Sequence, residues 1–72
     1  MTIYTTREWK GYGKHNYYWN EYRLDSGRVL KFKCNRRKHF DGHENEWINS
    51  ERLETSWLLT DSSMPQWIKK YI

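Results

Sequence analysis

The stretch Tyr17-Tyr18-Trp19-Asn20-Glu21-Tyr22-Arg23-Leu24-Asp25-Ser26-Gly27-Arg28-Val29-Leu30-Lys31-Phe32-Lys33-Cys34 reads as two strands folded about a turn. Asp25-Ser26-Gly27 has the composition of a three-residue hairpin loop with glycine in the left-handed position. Such a loop pairs Leu24 with Arg28, Tyr22 with Leu30, Asn20 with Phe32 and Tyr18 with Cys34. One face then carries Tyr18, Tyr22, Leu24, Leu30, Phe32 and Cys34, nearly all apolar. The other carries Trp19, Glu21, Arg23, Val29, Lys31 and Lys33, with Glu21 facing Lys31 and Trp19 facing Lys33. A two-residue Ser-Gly turn would instead set Glu21 opposite Phe32 and mix both faces, so the three-residue loop is expected. In that register Phe32 belongs to the core, and Phe32→Ala is expected to cost about 3–5 kcal/mol.

The hairpin sits in a chain of 72 residues, which makes a single small domain spanning 1–72. A chain this short buries only about 60% of its unfolded surface. It has no alanine but five Trp and six Tyr, so aromatic bodies are expected to build much of the core, with their polar tips at its edge. The 13 Lys and Arg outnumber 9 acidic residues, a formal charge of +4. That balance favours an anionic partner, such as nucleic acid or an acidic protein surface. The lone cysteine, Cys34, rules out an internal disulfide and fits a reducing compartment; its expected role is a buried small hydrophobe. No signal peptide and no long apolar run is present, so a soluble, cytoplasmic protein with no membrane partner is expected. Met1 followed at once by strand-like sequence is the pattern of a complete small protein.

Upstream of the hairpin, Thr2 to Lys10 alternates and is rich in β-branched and aromatic residues, as an edge strand would be. Gly11-Tyr12-Gly13-Lys14-His15-Asn16 reads as a loop. Its Gly-x-Gly-Lys lacks the spacing of a nucleotide-binding loop, and no helix follows. Downstream, the second hairpin strand runs on through Asn35-Arg36-Arg37-Lys38-His39, the densest positive charge in the chain. A two-residue turn at Asp41-Gly42 would place His39 opposite Glu44 and Arg37 opposite Glu46, partly neutralising the run. Glu44 to Thr60 is ambiguous: Glu44 to Thr55 contains good helix formers, but the alternation of Leu53, Thr55, Trp57 and Leu59 favours strand from about Arg52 to Thr60. Ser63-Met64-Pro65-Gln66 has the form of a capping box, with Trp67, Ile68, Tyr71 and Ile72 at helical spacing behind it. The expected fold is α+β and mainly β: a small antiparallel meander of about four strands, curled into a half-barrel, with a short C-terminal α-helix.

Among candidate functional groups, Tyr17, Trp19, Arg23, Lys31 and Lys33 on the solvent face of the hairpin, continued by Arg36, Arg37 and Lys38, form an expected basic-aromatic binding surface. Trp, Tyr and Arg dominate protein hot spots. The leading expectation is a small non-catalytic binding protein, an inhibitor or adaptor of the size phages and mobile elements use against host enzymes. Its partner would be an acidic or nucleic-acid-binding protein. The alternative is single-stranded RNA or DNA, held by stacking rings and a Lys/Arg strip. His39-x3-His43 has zinc half-site spacing, with Cys34, His15 and Asp41 as further donors, but a structural site usually needs paired cysteines; no metal and no cofactor is expected. His39, His43 and Glu44 are the groups available for acid–base cleavage of RNA. His43 and Glu44, as strand neighbours, would point to opposite sides, so an enzyme is not expected.

Overall fold

The computed structural model describes the backbone of residues 1–41 and 44–72 and the side chains of residues 1–38 and 47–72. The described residues form one antiparallel sheet: β1 (Thr2–Thr5), β2 (Trp9–Lys10), β3 (Asn16–Asp25), β4 (Arg28–Asp41) and β5 (Glu44–Leu58), followed by a 3-10 helix at Gln66–Tyr71. The order across the sheet is β1-β3-β4-β5, with β2 also paired to β3. The strand expected over residues 2–10 is thus interrupted, and its two pieces lie along the same edge of β3. The sheet stays open rather than curling into a half-barrel. The radius of gyration, 15.0 Å, with extents of 50 × 20 × 16 Å, exceeds the roughly 11 Å of a compact chain of this length. A long sheet covered on only part of one side accounts for that shape. Among the described residues no helix is long and apolar enough to cross a membrane.

The hairpin register differs from the expected one. Asp25 pairs with Arg28, Leu24 with Val29, Tyr22 with Lys31, Glu21 with Phe32 and Trp19 with Cys34. The loop is the two-residue Ser26-Gly27 turn, with both residues at positive φ, 50° and 76°. That is the signature of a type I′ turn, whose twist matches the right-handed twist of the strands it joins. The apolar-against-polar sorting that favoured the three-residue loop presumes one buried face along the whole hairpin. Here the core cluster covers only the turn end of one face.

Each face consequently carries mixed residues. The helix-side face presents Tyr18, Asn20, Tyr22 and Leu24 from β3, with Val29, Lys31, Lys33, Asn35 and Arg37 from β4. The open face presents Tyr17, Trp19, Glu21 and Arg23, with Leu30, Phe32, Cys34, Arg36 and Lys38. The core lies at the turn end of the helix-side face, where Tyr22, Val29, Met64 and Ile68 are buried and Ile3, Tyr4, Leu24 and Trp57 pack around them. Trp67 meets the rings of Tyr22 and Tyr4 edge-on at 4.9 and 5.1 Å. Phe32 lies on the opposite face, outside this core.

The closing helix is 3-10 rather than α. The expected capping box does not form, because the Ser63 amide and hydroxyl both donate to Asp61 Oδ1, at 2.9 and 2.7 Å. The backbone bond to Asp61 and that hydroxyl hold the Asp61 carboxyl below its usual range. Pro65 brings no N–H, its carbonyl accepts from the Ile68 amide at 3.2 Å, and six residues leave little room for an α-ladder.

β5 is strand throughout, with one register shift where Lys31 pairs with Thr55 but Phe32 with Leu53. Glu54 is the extra residue, and its carboxylate reaches Lys31 Nζ at 3.2 Å. At the far end Arg37 pairs with Ile48, His39 with Glu46 and Asp41 with Glu44. That is two residues away from the expected register, so Arg37 does not face Glu46. Asp41, expected in a turn, is instead the last residue of β4, and Gly42 lies outside the described residues.

Two outcomes test this arrangement. Ser26→Asn, a residue that tolerates the left-handed region better, should stabilise the fold by up to about 1 kcal/mol in urea unfolding; in a three-residue loop it would gain nothing. Ile68→Ala should cost about 2–5 kcal/mol and exceed the cost of Phe32→Ala. The reverse order would place the core on the wrong face.

Candidate binding surfaces

Of the eight expected site residues, the structure brings five onto the open face: Tyr17, Trp19, Arg23, Arg36 and Lys38. Lys31, Lys33 and Arg37 stand on the helix-side face. Alternation along β4 parts Arg36 and Lys38 from Lys31, Lys33 and Arg37, and the register decides which group joins Tyr17, Trp19 and Arg23, since a one-residue slip of β4 against β3 exchanges every β4 side chain between faces.

On the open face the cations are already engaged. The Arg23 guanidinium stacks over Phe32 at 4.1 Å and grips two carboxylates. It donates to Glu21 Oε2 from Nη2 at 2.7 Å and Nε at 3.2 Å, and to Glu51 through both terminal nitrogens. Glu21 Oε1 in turn accepts from Trp19 Nε1 at 3.2 Å. Hydrogen bonds to Glu51 and then Glu21 raise the arginine's pKa further, and the bond from Arg23 lowers that of Glu51. Cys34 lies beneath this cluster, 3% exposed. Burial first, then the Glu21 and Glu51 charges, pushes its thiol upward, which keeps it protonated and unreactive. Cys34 Sγ and oxygens of Glu21 and Glu51 lie within 4.8 Å of one another, but Arg23 already holds both carboxylates.

Further along the open face, side chains interleave across three strands. The Arg36 guanidinium lies 4.7 Å from the Trp47 ring and 5.7 Å from Tyr17, with Lys38 Nζ 5.8 Å from Trp47 on another side. Arg36 Nη2 pairs with Glu8 Oε2 at 3.4 Å, while its Nε is shielded from solvent and has no hydrogen-bond partner among the described residues, as a guanidinium lying flat on rings would be. Trp47 remains 42% exposed. Trp47 was not among the expected site residues, because the strand character of residues 44–51 was itself ambiguous in the sequence.

The helix-side face beyond the helix is different in character. Trp9 of β2 pairs with Tyr18 of β3, and their rings stack at 6.1 Å and 23°. Gly11 packs so closely on the Tyr18 ring that a Cβ there would collide with it, so this glycine serves ring placement. Lys33 Nζ lies 5.1 Å from Tyr18, and Lys33, Asn35, Ser50 and Arg52 line a cleft of about 620 Å³ with Tyr18 and Glu51. A second cleft, about 400 Å³, is lined by Gly13, Lys14, His15, Asn16, Arg37 and Lys38, with Tyr12 at its rim. The Lys38 amide donates to the His15 carbonyl at 2.9 Å and fixes that loop to β4. The imidazole of His39 and the whole of His43 lie outside the described residues, as does the Glu44 side chain. The expected zinc half-site and acid–base group fall there.

In comparisons with known proteins, no family model, no curated protein and no solved structure matches this chain.

The Arg23 clamp has a pH signature. Glu51's folded pKa is depressed, so its contribution to stability is complete above the ordinary glutamate value, about 4.3, and is lost as the pH falls through the depressed value. Urea unfolding of Arg23→Gln should therefore show a deficit at pH 7 that shrinks below about pH 4. A deficit independent of pH would mean that Arg23 acts only by covering Phe32.

Proposed function

We propose that this chain is a small non-catalytic binding protein, an inhibitor or adaptor, that docks an acidic and partly apolar protein surface through its open face. The observation that carries this reading is the Tyr17–Arg36–Trp47 interleaving beside Lys38. These are the residue types that dominate protein hot spots, and here they are held against one another before any partner arrives. Preorganisation of that kind lowers the ordering cost of association. Phe32 and Leu30 extend the same face towards the turn, and half-exposed Leu53 continues it on β5.

The open face suits a protein better than a polynucleotide. Arg23 and Arg36 are bound to Glu21, Glu51 and Glu8, so phosphates would have to displace carboxylates. Arg36 also lies against the Trp47 and Tyr17 rings that bases would need for stacking. An acidic protein surface can pair with Lys38 and the rim of this cluster while apolar side chains cover Trp47.

The test is capture from a cell lysate on the immobilised full chain, identification of the bound protein, and titration of that purified protein. Trp47→Ala and Arg36→Ala should each weaken binding about tenfold or more, with circular dichroism unchanged. Lys33→Ala, on the opposite face, should leave the affinity within about twofold, since it is no part of this interface. A partner whose affinity ignores both open-face substitutions would overturn the proposal.

A further inference from the structure

We propose that the opposite face, beyond the reach of the 3-10 helix, is a separate site for single-stranded nucleic acid. It is built from Trp9, Tyr18, Lys14, Lys33, Arg37 and Arg52. This inference does not depend on the protein-binding reading, since it uses other residues on the other side of the sheet.

Charge supports it first. Three of the cations already described, Arg23, Lys31 and Arg36, are ion-paired. Lys14, Lys33, Arg37 and Arg52 make no ion pair among the described residues, and they line two clefts, one at Lys33 and Arg52 and one at Lys14 and Arg37. The one described carboxylate at those clefts, Glu51, is held by Arg23 from the open face. A polyanion therefore meets cations here that make no ion pair among the described residues.

Register supplies the track. Arg37, Asn35 and Lys33 are alternate residues of β4, so they share one face, and Arg37 and Lys33 stand about 13 Å apart along it. Arg52 pairs with Lys33 across to β5, and Asn35 with Ser50. The Gly11-Tyr12-Gly13-Lys14 loop, which the sequence alone left as a turn, closes on itself through a 2.7 Å bond from the Gly11 amide to the Asn16 carbonyl. It brings Lys14 to the same end of the track as Arg37. Cations spread along a strand fit a chain of phosphates rather than one compact anion.

Aromatic placement completes the case. Trp9 and Tyr18 stack beside Lys33, and Trp9 is 42% exposed with no strand outside β2 among the described residues. Its outer side is open to a base, and Tyr12, 99% exposed, stands at the far cleft. Rings beside a line of cations are the means by which single strands are held without sequence preference. A duplex hides its bases from such rings, so single strands should be preferred.

The experiment is fluorescence anisotropy of the full chain with labelled oligothymidylate and oligouridylate of about 12 nucleotides. It is run at about 50 and about 200 mM salt, with duplex DNA of the same length alongside. Three or four neutralised phosphates predict that the affinity falls about 20- to 50-fold between those salt concentrations. Lys33→Ala combined with Arg37→Ala should flatten that fall to about 3- to 7-fold, and Lys33→Arg with Arg37→Lys should restore it. Trp9→Ala should weaken binding about fivefold or more at both salt concentrations, while Trp47→Ala should leave it unchanged. No single-strand binding at the lower salt, preference for the duplex, or equal loss with Trp47→Ala would each overturn the site. A protein partner whose affinity ignores Trp47→Ala and Arg36→Ala, with oligonucleotide binding intact, would reject the open-face reading and leave this one standing.

Discussion

Two residues at positive φ, Ser26 and Gly27, set what every other side chain in the sheet can do. Because side chains alternate with a period of two, the choice between a two- and a three-residue loop decides which face receives each residue of β4. With the two-residue turn, Val29 enters the core and Phe32 leaves it. Lys33 and Arg37 part company with Trp19 and Arg23. The backbone twist of a type I′ turn, acting locally, thereby overrides the sorting of apolar from polar residues along the hairpin.

The strands themselves were legible. The hairpin, the continuation of β4 past Cys34 and the strand character from Arg52 to Leu58 all follow from alternation and β-branched or aromatic content. The burial of Cys34 was expected as well, though it lies on the face that no second layer covers. The register was not legible, because the argument from face polarity assumes that one face is buried from end to end. In a single-layer sheet with its core at one end, a charged residue opposite an apolar one is tolerable: Arg23 covers Phe32 while Glu21 and Glu51 hold the guanidinium. The form of the C-terminal helix was hidden for a related reason. Ser63 reads as a helix cap in sequence, yet Asp61, two residues earlier, takes both its donors.

The candidate surfaces were legible in composition but not in grouping. A basic-aromatic strip was expected on one face, and the structure divides its members between two. The division separates two kinds of cation. Arg23 and Arg36 on the open face lie against rings and are paired to carboxylates, so their value is geometric, as parts of an amphipathic surface. On the helix-side face Lys33, Arg37 and Arg52 make no ion pair among the described residues, whereas Lys31 is held by Glu54. Arg52, Lys14 and Trp9 join this second group only through folding, since they are far apart in sequence.

The extra residue at Glu54 has a meaning for the sheet's outer border. β5 is a 15-residue edge, the kind of surface on which identical chains can stack without limit. A second copy laid antiparallel and centred on Leu53 would set Ile48 opposite Leu58. The extra residue puts those two side chains on opposite faces of the sheet, because Ile48 pairs with Arg37 and Leu58 with Arg28. No unbroken register carries like faces across that point. The irregularity therefore breaks the match of faces that an uninterrupted edge-to-edge pairing of two copies would need.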